Sequence, residues 1–389
     1  MNRGKPARLV AGGLARGDGL TDEQVAIADV AHSIGAKYAL SRFDDQAASE
    51  AQWADLCQVG FPGLSMPEEY GGVGGMFDLC LAMERIAGGG FPAAKMIIGT
   101  AVAGSIIARH GTPEQKQRWL PGVASGEVRF CFAMTEPTAG SNAINMTSTA
   151  RRQDGVWRLR GEKTYISAAD VSNAMLVVTQ DPEHGGLTLF ALALPEPRIT
   201  MNPISLEVPL FERQFTVFFE DVELTDDAVI GEPGAGGRSL FDGLNPERLV
   251  VAAQAVGLGR WCLARATDYA RERVVFDVPI GQHQAVQHPL AESLIELEGA
   301  ALLLWRAARM YDSGAQAGLE SNMAKLAGCD AGFRASDRAL QTFGGSGYTD
   351  ESMVFQRFAY LRLLRSIPVA RELALNHIAT SGLGLPRSY

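Results

Sequence analysis

A change of texture along the chain limits its fold more than any other feature. Between Val128 and about Leu224 the residues fall into short apolar or alternating runs: Val128 to Met134, Val156 to Ser167, Met175 to Thr179, Leu187 to Leu194 and Phe215 to Leu224. Turn pairs such as Asp154-Gly155 and Gly185-Gly186 cut them apart, which is the pattern of antiparallel strands. On either side the spacing is helical. Thr21 with Gln24, Ser49 with Gln52, and Thr112-Pro113 with Gln115 read as capping boxes, in which hydroxyl and amide satisfy orphan N–H groups reciprocally. After a Gly-rich hinge, Gly231 to Gly237, long helices run through about Arg248 to Arg273, Ala285 to Tyr311, Glu320 to Gln341 and Pro368 to Ile378. Helices of that length with mostly short connections suit an up-down bundle.

The expected fold class is therefore mainly α with a central β domain. Residues 21–126 form an N-terminal helical domain, 127–236 a small antiparallel β domain and 237–389 a C-terminal four-helix bundle, with 1–20 a loose arm. A length of 389 residues supports two or three such units, and 47% hydrophobic residues rule out general disorder.

Charge and cysteine usage narrow the function. The net charge is −9 and no basic run exceeds Arg151-Arg152, which argues against nucleic acid as a partner. An anionic nucleotide must then be gripped by a few placed arginines and backbone N–H groups. Cys57, Cys80, Cys131, Cys262 and Cys329 are scattered, without C-x-x-C or zinc-like spacing, so no metal and a reducing, cytoplasmic setting are expected. The most apolar run, Met96 to Ala108, is shorter than the ~20 residues of a membrane span. No long apolar core follows Arg3, Lys5 and Arg8, so no secretory signal is expected.

G-x-G-x-x-G after a strand, G-x-x-x-x-G-K-[ST], G-x-S-x-G and H-E-x-x-H are all missing, which disfavours a Rossmann site, a P-loop, an α/β-hydrolase and a zinc protease. Other strings stand out: G-F-P-G-L-S-M-P-E-E-Y-G-G-V-G over residues 60–74, C-F-A-M-T-E-P-T-A-G-S-N over 131–142 and G-E-K-T-Y-I-S over 161–167. Arg273-Val-Val-Phe276 with Gln284, and Gln341-Thr-Phe-Gly-Gly-Ser-Gly-Tyr348, follow. The 135–141 turn offers N–H groups and the hydroxyls of Thr135 and Ser141, which suit a flat heteroaromatic ring. Tyr165-Ile166-Ser167 ends a strand with an aromatic face and a donor, and Arg273 can grip a pyrophosphate bidentately.

In order and spacing, from about residue 21 to 380, these strings resemble the acyl-CoA dehydrogenase family. The resemblance implies FAD as cofactor. It implies that Phe132, Met134, Thr135, Gly140 and Ser141 meet the flavin pyrimidine edge, with Ser141 also near the pantetheine arm of the ligand. Tyr165, Ile166 and Ser167 then wall the isoalloxazine, Tyr165 standing where the family usually has Trp. Arg273, Phe276 and Gln284 reach the FAD of a neighbouring subunit, so a dimer or tetramer is implied; Asp277 stands at the family's usual glycine. The Gln341, Gly344 and Gly345 backbone cradles the adenosine diphosphate, although a glycine-ended helix explains the same string.

Chemistry α to a thioester needs a carboxylate aimed at the α-proton. In most of the family it lies about twenty residues after G-G-x-G-Y, where this chain has Pro368, followed by Val369 and Ala370. The isovaleryl and long-chain branches carry it on the first bundle helix, just before an arginine, which matches Asn245-Pro246-Glu247-Arg248. The resemblance makes Glu247 the base and Arg248 and Asn245 substrate-binding residues, while the same residues also suit a helix N-cap, N1 and first turn. Pro368 has no N–H for the thioester oxygen, which the family polarises there, so either Val369 donates or the carbonyl is held differently.

The implied reaction is α,β-dehydrogenation of an acyl-CoA in fatty acid or lipid catabolism, with an electron-transfer flavoprotein as acceptor. Two other readings stay open: a family member with oxygenase or desulfinase chemistry, and a non-catalytic partner subunit of a hetero-oligomeric dehydrogenase.

Overall fold

A computed structural model describes residues 19–388, so the expected arm lies outside the described residues save Gly19 and Leu20. The chain divides into two compact units. The helical unit takes the residues up to Asp55, Met76–Ala93 and those from Arg248 onward; the sheet unit takes Leu56–Gly75 and Ala94–Glu247. In chain order the helices are α1 (Asp22–Lys37), α2 (Gln46–Gln58), α3 (Met76–Gly88), α4 (Ser105–His110) and α5 (Pro113–Ser125). Then come α6 (Gly236–Glu272), α7 (Gln284–Asp312), α8 (Gly318–Phe343), α9 (Val354–Leu364) and α10 (Arg371–His377). None of the described helices is long and apolar enough to cross a membrane.

Two of the three expected capping boxes form. Thr21 and Thr112 each accept from the N–H three residues on, while the Gln24 and Gln115 side chains return the bond. Ser49 does not cap: α2 begins at Gln46, Asp45 accepts from the Ala48 N–H at 3.1 Å, and Ser49 is buried one turn inside. The expected last helix is also shorter, starting at Arg371, because Pro368 and the residue before it resist helical geometry.

Small residues let the helices of the helical unit approach. A Cβ on Gly35 of α1 would meet the Ile86 carbonyl of α3 at 1.9 Å, and one on Gly257 of α6 would meet the Glu84 carbonyl at 2.0 Å. Val256 and Leu263 of α6, Leu297 and Ala301 of α7, and Ala331 and Ala335 of α8 fill the seam between them. Arg357 of α9 is buried with its guanidinium over the Phe43 ring at 4.3 Å, donating to the carbonyls of Ala39, Ser41 and Gly90. Burial pulls its pKa down to about 10.

The sheet runs β6-β7-β3-β2-β4-β5-β8, with β1 beside β4. Its strands are β1 (Phe130–Ala133), β2 (Thr149–Gln153), β3 (Val156–Ser167), β4 (Ala174–Gln180), β5 (Leu187–Ala193), β6 (Ile199–Ile204), β7 (Gln214–Leu224) and β8 (Val229–Ile230). Pairing is antiparallel except that β1, and one residue pair of β2, run parallel to β4. Strand β4 reads as a continuous apolar run because both of its faces are covered. Met175 and Val177 face a core with Trp157, Phe190 and Val217; Leu176 and Val178 face one with Trp119 and Leu120 of α5 and Ile106 and Ile107 of α4. Each fully buried Leu or Val contributes about 1.5–3 kcal/mol of transfer free energy.

Candidate active site

Strand β1 ends at Ala133 and the chain turns through Thr135-Glu-Pro-Thr-Ala-Gly-Ser141, pinned by paired backbone hydrogen bonds between Glu136 and Ala139. Phe132, Met134 and Thr135 are half-buried, while Gly140 and Ser141 are exposed. A Cβ at Gly140 would meet nothing within 4 Å, so the turn's outer side is open. Beside it, the register of β3 against β7 shifts between Lys163 and Ile166. At that bulge Tyr165 takes φ 58 and stands 62% exposed, an unusual and strained setting for an aromatic residue. Ile166 is buried, and the Ser167 hydroxyl lies 3.0 Å and 2.9 Å from the two polar atoms of the Gln214 amide. The Thr164 N–H donates to the Thr135 carbonyl at 2.8 Å, so the two segments are neighbours.

Beneath them lie two residues that motif reading passed over. Lys163 Nζ donates to Glu136 Oε1 at 2.9 Å and to the Met134 carbonyl at 3.0 Å, with both charged side chains at or below 1% exposure. Glu136 also accepts from the Thr147 N–H (2.5 Å) and hydroxyl (2.8 Å) and from the Ser148 N–H (2.9 Å). Burial alone raises the Glu136 carboxyl, but these donors and Lys163 outweigh it and hold the pKa at about 2. Burial pulls Lys163 down to about 8 against the opposing pull of Glu136. The only sequence signal was that Glu136 and Lys163 sit inside the two strings themselves.

In the helical unit the stack of Tyr269 on Phe343, 4.4 Å between centroids, brings the ends of α6 and α8 together. Arg273 follows α6 and leads into a two-residue hairpin, β9 (Val274–Val275) against β10 (Val278–Pro279). Its tip residues have φ 52 (Phe276) and 63 (Asp277), the left-handed pair of a type I′ turn. Asp277 thus keeps the left-handed turn that a glycine favours, aspartate entering this region at less cost than most residues. Phe276 is 87% exposed, and Arg273, Gln284 and Gln341 are exposed too. Gly344 ends α8 at φ 58, ψ −136, a conformation reserved for glycine. Nothing lies within 4 Å of a Cβ built on Gly344 or Gly345, so this end offers an open backbone edge.

Asn245, Pro246 and Glu247 do not start a helix. The helix α6 begins at Gly236, so Pro246 lies inside it and the capping explanation of the Asn-Pro-Glu sequence fails. Asn245 is half-buried, and Glu247 and Arg248 are 8% and 7% exposed. Arg248 belongs to a cationic cluster of the helical unit. Burial lowers the pKa of His377, with Arg248 adding to it; burial likewise lowers Lys325, with Arg248 and Arg365 adding and Asp330 opposing. Lys325 Nζ donates to the carbonyls of Val369 (2.7 Å) and Arg365 (3.3 Å), fixing the turn that carries Pro368. Asp330 gathers Arg365 and Arg371 at 2.8 Å and 3.1 Å.

Known proteins are similar to nearly the whole chain in sequence and fold. Residues 21–127, 131–222 and 234–381 match the N-terminal, middle and C-terminal domain models of acyl-CoA dehydrogenase. The acyl-CoA dehydrogenase FadE12 of Mycobacterium tuberculosis is 44% identical over 371 residues, covering 94% of this chain and 96% of that protein. The human mitochondrial short-chain specific acyl-CoA dehydrogenase is 33% identical over 77% of this chain and 74% of its own length. The structure of butyryl-CoA dehydrogenase from Megasphaera elsdenii superposes with a TM-score of 0.88 at 26% identity, covering 94% of this chain and 99% of that one.

Proposed function

The chain belongs to the acyl-CoA dehydrogenase family, and from that premise we propose that it converts an acyl-CoA thioester to the 2-enoyl-CoA with FAD as cofactor and Glu247 as base. The observation that carries the assignment is a carboxylate 8% exposed inside α6, where capping does not account for it. Glu247 takes the α-proton as the double bond forms. FAD, when bound, supplies the acceptor for the hydride that leaves the β-carbon.

The remaining residues bind and orient. Phe132, Met134, Thr135, Gly140 and Ser141 meet the pyrimidine edge of the flavin with backbone donors and hydroxyls, and Tyr165, Ile166 and Ser167 wall its face. Arg273, Phe276, Gln284, Gln341, Gly344 and Gly345 hold its pyrophosphate and adenosine end, those from the hairpin acting on a neighbouring subunit of a homo-oligomer. Arg248 and Asn245 shape the acyl-CoA end of the pocket. Pro368 cannot donate to the thioester oxygen, so the next backbone N–H, that of Val369, takes this part; Lys325 already fixes the Val369 carbonyl. An electron-transfer flavoprotein is the proposed acceptor, and lipid catabolism in the cytoplasm the proposed setting.

The test is an anaerobic titration of the yellow protein with straight, branched and ring-bearing acyl-CoAs. Loss of flavin absorbance with at least one of them is expected. Steady oxygen uptake coupled to substrate oxidation, without bleaching by any acyl-CoA, would sink dehydrogenation in favour of oxygenase chemistry.

A further inference from the structure

The pair Glu136–Lys163 asks for an explanation that stability does not supply. A buried ion pair is often no more stabilising than apolar residues of the same volume, because desolvation offsets the attraction. What such a pair does supply is fixed geometry. Every acceptor that Lys163 meets ties β3 to the turn after β1: Glu136, the Met134 carbonyl and, at 3.5 Å, the sulfur of Met146. The other donors to the Glu136 carboxylate come from Thr147 and Ser148, where the loop begun at Thr135 returns to β2. The carboxylate therefore closes this loop at its base, leaving Gly140 and Ser141 exposed at its far side. The ammonium fixes the closed loop against β3, two residues before Tyr165.

We propose that Glu136 and Lys163 are positioning residues for the flavin, setting the spacing between the Thr135–Ser141 turn and the Tyr165–Ser167 strand end. The inference rests on the reading that these two segments hold FAD. Neither side chain touches the cofactor; each acts through the backbone it anchors. A displacement of the turn changes both how tightly FAD binds and how its ring is surrounded, whereas a purely structural pair alters only the melting temperature.

The test uses Lys163→Met, the double variant Glu136→Met/Lys163→Met, the conservative Lys163→Arg, and Thr135→Ala and Tyr165→Ala as reporters of the site. The double variant removes both charges together, so it avoids the uncompensated buried charge that the single variant leaves. The expected result is an FAD affinity lower by about tenfold or more in the double variant, the equivalent of one lost charge-assisted hydrogen bond. A shifted visible spectrum of the bound flavin accompanies it, and Lys163→Arg recovers part of both. Wild-type affinity and spectrum in the double variant, with weakened binding in Thr135→Ala and Tyr165→Ala, overturn the positioning role alone. Wild-type affinity in Thr135→Ala and Tyr165→Ala overturns the site reading and the inference with it.

Discussion

Two lysines, one in each unit, are almost fully buried, and both hold a turn by donating to backbone carbonyls. They differ in company. Lys163 meets a carboxylate directly, and that carboxylate is saturated by two N–H groups and a hydroxyl. Lys325 meets the carbonyls of Arg365 and Val369, and the nearby carboxylate, Asp330, is shared between Arg365 and Arg371. The first turn is held by a locally neutral device; the second sits near Arg248 and Arg365, whose charges add to burial in pressing the Lys325 pKa down. The first lies where the sequence follows the family strings, the second where Pro368 departs from them. A neutral buried device fails abruptly when one half is removed, whereas a carbonyl-bound lysine in a cationic cluster loses hydrogen bonds but also sheds repulsion.

The comparison sets an order of effects. Lys163→Met leaves Glu136 buried without its partner and is expected to cost about 3–5 kcal/mol, read as a lower denaturation midpoint at unchanged slope. A cost below that of Lys325→Met would break the contrast. Lys325→Met is expected to cost about 1–2 kcal/mol, since two carbonyls lose a donor while Arg248 and Arg365 lose a like charge. High salt, which screens the cationic cluster, removes part of that relief and so enlarges this second cost slightly, while leaving the first nearly unchanged.

Acid tests the Glu136–Lys163 pair through its carboxylate. The folded Glu136 carboxyl titrates at about 2, below the unfolded carboxylate value of about 4.3, so its stabilising contribution is complete above the unfolded value. It is lost as the pH falls from there through about 2. Glu136→Gln should therefore flatten part of the stability decline over that window in denaturation measured at several pH values. An unchanged decline would mean that the pair is not the acid-sensitive element.

Much of the fold was legible because local chemistry and global arrangement agree. Thr21 and Thr112 cap because each has glutamine at the third helical position, and β3 ends at Ser167 as its alternating pattern indicated. Ser49 has the same spacing, but Asp45 ahead of it captured the helix start. Strand β2, with Arg151 and Arg152, carries too much charge to read as a strand, and β6 lies at the sheet edge, where its polar pattern and Pro203 are tolerated. Helix α9 follows a Gly-rich turn and a run of polar residues that mask its start.

The site divides in the same way. Strings fixed by backbone geometry, such as the Gly344 turn and the Tyr165 bulge, left marks in the sequence. The partnership of Glu136 with Lys163, 27 residues apart, left only their places inside two of the strings, because each residue alone reads as an ordinary surface charge. Asn245-Pro246-Glu247 misled in the opposite sense. Its residues favour a helix start, yet Gly236 and the residues after it had already begun α6.

The claim that most needs testing is that Glu247 removes the α-proton. Glu247→Gln keeps the shape and removes the base, so the variant should purify yellow with FAD bound and remain unbleached by the acyl-CoA that reduces the wild type anaerobically. The expected loss in the rate of flavin reduction is about 10²- to 10⁴-fold. Bleaching at the wild-type rate would place the base elsewhere in the chain.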